Sequence, residues 1–255
     1  METAIIIIAL AAFAGSFLTF FSGFGLGTLL LPVYLFFFPP EIAILLTGLV
    51  HLLNNLLKAY LLRGSFDRTI LIRFGGGSFA GAIAGVSLYK ILPQFPPLFE
   101  YEFGAGCFHV FPFPFAIGCL MIFFAFFEQA GIRFKKGQYV TGGLVSGFFG
   151  GFTGHQGALR SAFLINSGLT KEVYISTGVF ISLIVDFTRI PMYIGLGQSY
   201  FEGINWQYLV AGGLPALFGA VVGNQYLKKS SYTFTRILVT VFLVVFGLLL
   251  ILGIL

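Results

Sequence analysis

The stretch GFTGHQGALRSAFL, residues 151–164, sets Thr153, His155, Gln156 and Arg160 among glycines in an otherwise apolar chain. Every one of these side chains can donate a hydrogen bond, and Arg160 adds a fixed positive charge. If the glycines break a helix there, the free backbone N–H groups and positive dipole end of the next half-helix join them. Together they form a recognition site for an anion. A charged group at membrane depth costs at least roughly 2.5–3.5 kcal/mol, so Arg160 needs a reason to be there. The alternatives are a structural ion pair or a side chain that snorkels to the surface.

Asp186 and Arg189, in DFTR, lie three residues apart on one helical face, which Ser182 and Tyr193 extend. The two pair with each other, or Asp186 pairs with Arg160; either arrangement lowers the cost of burial. His51, Asn54, Asn55 and Lys58 recur at i, i+3, i+4 and i+7 and form a polar stripe toward the interior. Asn54 and Asn55 can hydrogen-bond a substrate, and Lys58 is expected to reach the headgroups. His51 reads as a packing residue before a metal ligand. With His155 and Asp186 it is also a candidate for proton coupling. His109, between phenylalanines, carries no signal. Cys107 and Cys119 have neither CxxC spacing nor a histidine ligand set and read as helix-packing residues. No metal or cofactor is expected. GxSxG, HExxH and paired carboxylates on one helix face are all missing, so the expectation is a protein that is not an enzyme.

Only 9% of the 255 residues are charged and 58% are hydrophobic, too little polar surface to cover a globule in water. No charge occurs from Thr3 to Pro40 or from Ile237 to Leu255, and each run is long enough to span a bilayer. METAIIIIAL carries an acid where a signal peptide needs bases, which argues against a cleaved leader. The net charge of +5 sits in short loops and is a topology signal before it is a nucleic-acid signal.

Apolar segments run over residues 5–38, 42–62, 70–92, 103–127, 140–166, 173–194, 206–227 and 234–255. As one straight helix the first would reach roughly 51 Å, against a hydrocarbon core of about 30 Å. Its middle, FFSGFGLGTLLLP, holds Gly23, Gly25, Gly27 and Pro32, where a helix unwinds. The fifth segment repeats that grammar with Gly147, Gly150, Gly151, Gly154 and Gly157. For both clusters, broken backbone lining a cavity is preferred to helix packing. Packing is preferred for Gly77, Gly81 and Gly85 and for Gly219 and Gly223. If the fifth segment turns back on itself, eleven basic loop residues fall on one side and only Lys90 on the other. If it crosses, the split is seven to five. The positive-inside rule therefore favours a re-entrant hairpin.

The halves also match each other. Thr47-Gly48 answers Thr177-Gly178, and a shift of 138 carries Asp67, Gly75, Gly81 and Gly85 onto Asn205, Gly213, Gly219 and Gly223. The expected fold is an all-α polytopic membrane protein of two inverted repeats, 1–130 and 131–255. Each repeat is a glycine-broken hairpin plus three transmembrane helices, with substrate near the midplane between them.

The block GFTGHQGALRSAFL, followed by a span ending VDFTRIPMY, resembles the TauE/SafE sulfite exporter family. FSGFGLGTLLLPVYL, the asparagine-bearing span and a basic loop ending in an FD element agree with it, so the resemblance covers nearly the whole chain. It implies export of sulfite, organosulfonates or other small anions across the bacterial cytoplasmic membrane. It also implies that the two glycine-rich segments face one another around the substrate. Ser22, Gly25 and Gly27 match the first site block. Thr153, Gly154, His155, Gln156, Gly157 and Arg160 match the second. The first block departs from a fuller triple-glycine form, with Leu26 and Thr28 around Gly27, and this bears on which anion is carried.

The expected function is a secondary transporter exporting sulfite or a small organosulfonate. Proton coupling could run through His155, His51 or Asp186. The alternatives are a small carboxylate or other organic-anion carrier, an anion channel, or a membrane scaffold. Expected partners are the small anion and the bilayer, with a homodimer left open and no nucleic acid.

Overall fold

The computed structural model describes residues 2–22, 25–62, 66–104, 106–195, 205–225 and 232–255. Among them are ten α-helices: α1 (Glu2–Ser22), α2 (Leu26–Leu35), α3 (Pro40–Leu61), α4 (Arg68–Ile91), α5 (Pro112–Gln129), α6 (Tyr139–Phe152), α7 (Gly157–Leu164), α8 (Lys171–Gly195), α9 (Trp206–Gln225) and α10 (Tyr232–Ile251). Parts of α1, α3, α4, α8 and α9 are long and apolar enough to cross a membrane, and α2, α5 and α10 hold shorter apolar stretches. Large apolar side chains such as Ile72, Leu214 and Phe218 face outward, while Asn54, Gln156, Asp186 and Arg189 are fully buried. A protein solvated by lipid distributes its residues this way.

Both long segments are broken. α1 ends at Ser22 and α2 restarts at Leu26 behind Gly25, which is extended, with φ −80° and ψ 138°. Gly23 lies outside the described residues, as do Arg63, Lys228 and Lys229 of the basic loops. Pro32, expected at the break, instead sits inside α2. In the second half α6 stops at Phe152 and α7 begins at Gly157. Gly154 turns the chain with φ +86°, a left-handed conformation that favours glycine.

Two other glycines of the second cluster, Gly147 and Gly151, have a different job from the one expected of them. A Cβ at Gly77, Gly81 or Gly85 of α4 would strike the α6 backbone at Val140, Leu144 or Phe148. A Cβ at Gly143, Gly147 or Gly151 would strike α4 at Phe74, Ser78 or Ala82. Two GxxxG ridges thus bring the helix backbones into contact, so Gly147 and Gly151 pack helices rather than line a cavity. Gly219 on α9 meets the Phe13 backbone of α1 in the same manner.

The main helix contacts are α4 with α6, α1 with α9, α5 with α10, α3 with α8, α4 with α8 and α3 with α9. Exchanging α1–α5 for α6–α10 maps this set onto itself. The helix starts match too. Asp67 Oδ1 accepts from Ile70 N at the start of α4 (2.8 Å), and Asn205 Oδ1 accepts from Gln207 N at the start of α9 (3.0 Å).

One expected span is corrected. Residues 99–110 form an antiparallel β-hairpin, β1 (Phe99–Phe103) and β2 (Gly106–Val110), and the helix begins only at Pro112. FEYEF and GCFHV alternate with period two, Gly104 (φ +63°) starts the reversal, and Pro112 suits a first helical turn. Cys107 and His109 therefore lie on an exposed strand instead of within a helix. Cys107, expected to pack between helices, instead has His109 Nε2 at 4.0 Å from its Sγ. Cys119, on α5, is exposed as well.

Candidate functional site

A small cavity, open on one side, lies where α2, α3, α7 and α8 converge. Lys58 and Arg160 line it together with Gly25, His51, Asn55 and Ser182. Its remaining lining is largely apolar, and among the described residues it includes no carboxylate. Arg160 projects from the second turn of α7, and its Nη1 donates to Ser182 Oγ of α8. Lys58 belongs to the last turn of α3 and is only 5% exposed, so it does not reach the headgroups. Asn54 holds it from the neighbouring position. With its amide nitrogen toward Ser16 Oγ (2.8 Å) and Ala216 O (3.3 Å), the Asn54 oxygen accepts from Lys58 Nζ at 3.2 Å.

Beside the cavity a second polar group closes on itself. Asp186 Oδ2 is 2.7 Å from His51 Nδ1 and 3.3 Å from Asn55 Nδ2. Asp186 Oδ1 accepts from Arg189 Nε at 3.0 Å and lies 2.8 Å from Nη2. Of the two pairings left open for Asp186, this is the one with Arg189. Arg189 Nη1 also donates to Gly150 O (3.2 Å), and Tyr193 donates its hydroxyl proton to Gly151 O. With the carboxylate at Nδ1, a neutral imidazole carries its proton there and Nε2 is the acceptor, with Asn55 Nδ2 3.3 Å from it. Nε2 faces the start of α2, since a Cβ at Gly25 would lie 3.2 Å from it.

The matched Thr-Gly pairs acquire a physical meaning here. A Cβ at Gly178 would sit 3.2 Å from Arg160 Nε, and one at Gly48 would sit 3.5 Å from Arg189 Nη2. Each half supplies a glycine that lets a guanidinium lie against a helix backbone. The two breaks also approach each other, because a Cβ at Gly27 would be 3.6 Å from Gly154 O.

The family model described as Sulfite exporter TauE/SafE matches residues 7–250. The chain belongs to the TauE/SafE family. Its members are membrane transporters of the sulfite or sulfonate exporter type, which accords with a multi-pass helical protein that encloses a cation-lined cavity. No curated protein gives a match.

Within this TauE/SafE chain, the expected residues divide. Arg160, Gly25, His51 and Asn55 meet at the cavity. Thr153, Gly154, His155, Gln156 and Gly157 are buried at the second break and are not among the cavity's lining residues. There His155 Nδ1 is 3.0 Å from Thr153 Oγ1, and the imidazole stacks on Phe124 at 5.8 Å. Among the described residues neither amide atom of Gln156 has a hydrogen-bond partner. Ser22 ends α1, and its side chain lies outside the described residues. Sequence reasoning missed Thr19 and Tyr174, which also line the cavity and carry no recognisable pattern. It placed Lys58 in the interior stripe but read its length as snorkelling.

Proposed function

We propose that the chain is a secondary transporter that exports sulfite or a small organosulfonate across the bacterial cytoplasmic membrane. The observation that carries this reading is one cavity shared by Lys58 and Arg160 with no carboxylate among its described lining residues. Two cations in a medium of low dielectric favour a small, highly charged anion over a neutral solute. Arg160 offers its oxygens a planar fork, Lys58 a point charge, and Ser182 and Asn55 further donors.

In this reading the chain is two inverted repeats, 1–130 and 131–255, with re-entrant broken segments that alternate access to the site. The helix contacts that survive exchange of the two halves, and the approach of the breaks at Gly27 and Gly154, support it. The amides at the start of α2 and at the second break, with Thr153, His155, Gln156, Gly154 and Gly157, form the inner wall that the anion meets as the repeats move. Gln156 supports this role because its buried amide has no partner among the described residues. Proton coupling runs through His51 and Asp186, whose contact leaves Nε2 of His51 at the cavity. One chain contains the whole site, so a homodimer is not required.

Sulfite uptake into proteoliposomes tests this, with wild type beside a folded Arg160→Ala variant. Saturable uptake that the variant loses supports the site. Equal uptake by both proteins removes Arg160 from it. Failure of wild type to move sulfite, with uptake of a carboxylate, replaces the substrate class. Non-saturable flux without counterflow makes the protein a channel.

A further inference from the structure

The β-hairpin between α4 and α5 has two unlike faces. Tyr101 stacks on Phe108 with ring centroids 5.3 Å apart, and Tyr101 donates its hydroxyl proton to Leu252 O (2.6 Å) just beyond α10. The opposite face carries Glu100, Glu102, Cys107 and His109, because alternate residues of a strand point the same way. The register pairs Glu100 with His109 and Glu102 with Cys107 directly across the strands. Four residues of metal-ligating type thus occupy one exposed patch of a platform anchored to a membrane helix.

We propose that this patch binds one borderline divalent transition-metal ion of the zinc class. Donor atoms of Glu100, Cys107 and His109 all lie within 4.8 Å of one another. Glu100 Oε1 lies 2.8 Å from His109 Nδ1, which directs the imidazole and leaves Nε2 free to bind metal. Nε2 is 4.0 Å from Cys107 Sγ. A tetrahedral ion with Zn–S of about 2.3 Å and Zn–N of about 2.0–2.1 Å holds these two atoms roughly 3.5 Å apart. A small side-chain rotation closes the difference. Cys107 and His109 are then the protein ligands, with Glu102 opposite Cys107 on the same face of the hairpin, and water completes the shell. An ordinary surface ion pair between Glu100 and His109 would need neither Cys107 nor a second acid on the same face. Thiolate with imidazole selects zinc, cobalt, nickel or copper over calcium and magnesium, which prefer oxygen ligands alone.

The patch is separate from the anion cavity. Asp67 N, just before α4, donates to Thr177 Oγ1 beside the cavity (3.0 Å), whereas the hairpin follows the other end of α4. The 24 residues of α4 place the two about 36 Å apart along its axis.

The test is titration of the purified full-length protein in detergent with Co²⁺ alone, read by absorption, followed by displacement with Zn²⁺. The expected result is one equivalent with a thiolate-to-cobalt band in the near ultraviolet and the visible bands of a four-coordinate ion. Cys107→Ser should abolish the thiolate band and Cys119→Ser should keep it. His109→Ala should weaken binding at least tenfold, and Glu100→Gln about ten- to hundredfold. All four positions are exposed, and unchanged melting of the metal-free variants verifies their folding. A wild type without the thiolate band overturns the proposal. So does a band that survives Cys107→Ser, or an affinity indifferent to His109→Ala.

Discussion

The Asp186 cluster and the Arg160 cavity share α8, where Ser182, which touches Arg160, precedes Asp186 by one turn, yet they meet the cost of burial in opposite ways. Asp186 is ringed by His51, Asn55 and Arg189, and Arg189 is held in turn by a backbone carbonyl, so opposite charges and donors satisfy one another. Around the cavity, Arg160 and Lys58 bring two like charges to one space whose described lining has no acid. The first arrangement compensates buried charge within the bundle and ties α3 to α8 while His51 keeps Nε2 at the cavity. The second brings positive groups to a space that an anion can enter. The difference teaches where to cut: one cluster should fail by unfolding, the other by losing its ligand.

The largest effect is expected at Asp186. Replacing it with alanine leaves Arg189, with 0% exposure, as a buried charge without its carboxylate. Removing one partner of such a pair typically costs about 3–5 kcal/mol. Asp186→Ala should therefore lower the melting temperature sharply or abolish recovery of folded protein, measured by thermal unfolding in detergent. A variant that melts like wild type would mean that the cluster is not structural.

Lys58→Gln should cut the other way. Fold and melting temperature should change little, because glutamine removes the charge but keeps a hydrogen-bond donor on a side chain only one bond shorter. Affinity for a doubly charged anion should fall about ten- to hundredfold, equivalent to about 1.4–2.8 kcal/mol. A singly charged sulfonate should lose less. The measurement is the anion-induced rise in melting temperature, titrated for both ions. Equal losses for the two would remove Lys58 as a charge sensor and leave it as a packing residue.

Much of this contrast was legible in the sequence. Arg160, Asp186 and Arg189 stand out because charge is so scarce here, and the break at Gly154 follows from glycine density. Helical spacing put His51, Asn55 and Lys58 on one stripe. Which way Lys58 turns depends on Asn54, itself tied to α1 and α9, and those contacts are too distant in sequence for periodicity to reveal. Gly147 and Gly151 were misread because a packing ridge and an unwound helix have the same composition. Only the facing ridge on α4 distinguishes them. The β-hairpin hid inside an aromatic-rich run whose hydrophobicity masked its period of two.

The matched glycines offer a finer cut. Gly178→Ala puts a methyl 3.2 Å from Arg160 Nε, close enough to push the guanidinium by a few tenths of an ångström. Gly48→Ala puts one 3.5 Å from Arg189 Nη2, which is ordinary contact. Anion affinity should drop about three- to tenfold in the first, at most about 1.4 kcal/mol, and hold in the second. Isothermal titration of both variants decides it. If Gly48→Ala weakens the anion as much as Gly178→Ala, the two guanidinium groups act as one site and the division between the clusters is wrong.

The smallest effect is expected at Ser182. Its hydroxyl accepts from Arg160 and lines the cavity, so it both orients the guanidinium and can donate to an anion oxygen. Ser182→Ala removes one hydrogen-bonding group while both cations stay, and a typical hydrogen bond is worth about 0.5–1.5 kcal/mol net. Binding should weaken about two- to tenfold with thermal stability nearly unchanged. Loss beyond that range would mean that Arg160 cannot hold its position by charge alone. Its dependence on α8 would then resemble that of Arg189 on Asp186, and the open cavity would be organised by the same helix that closes the ion pair.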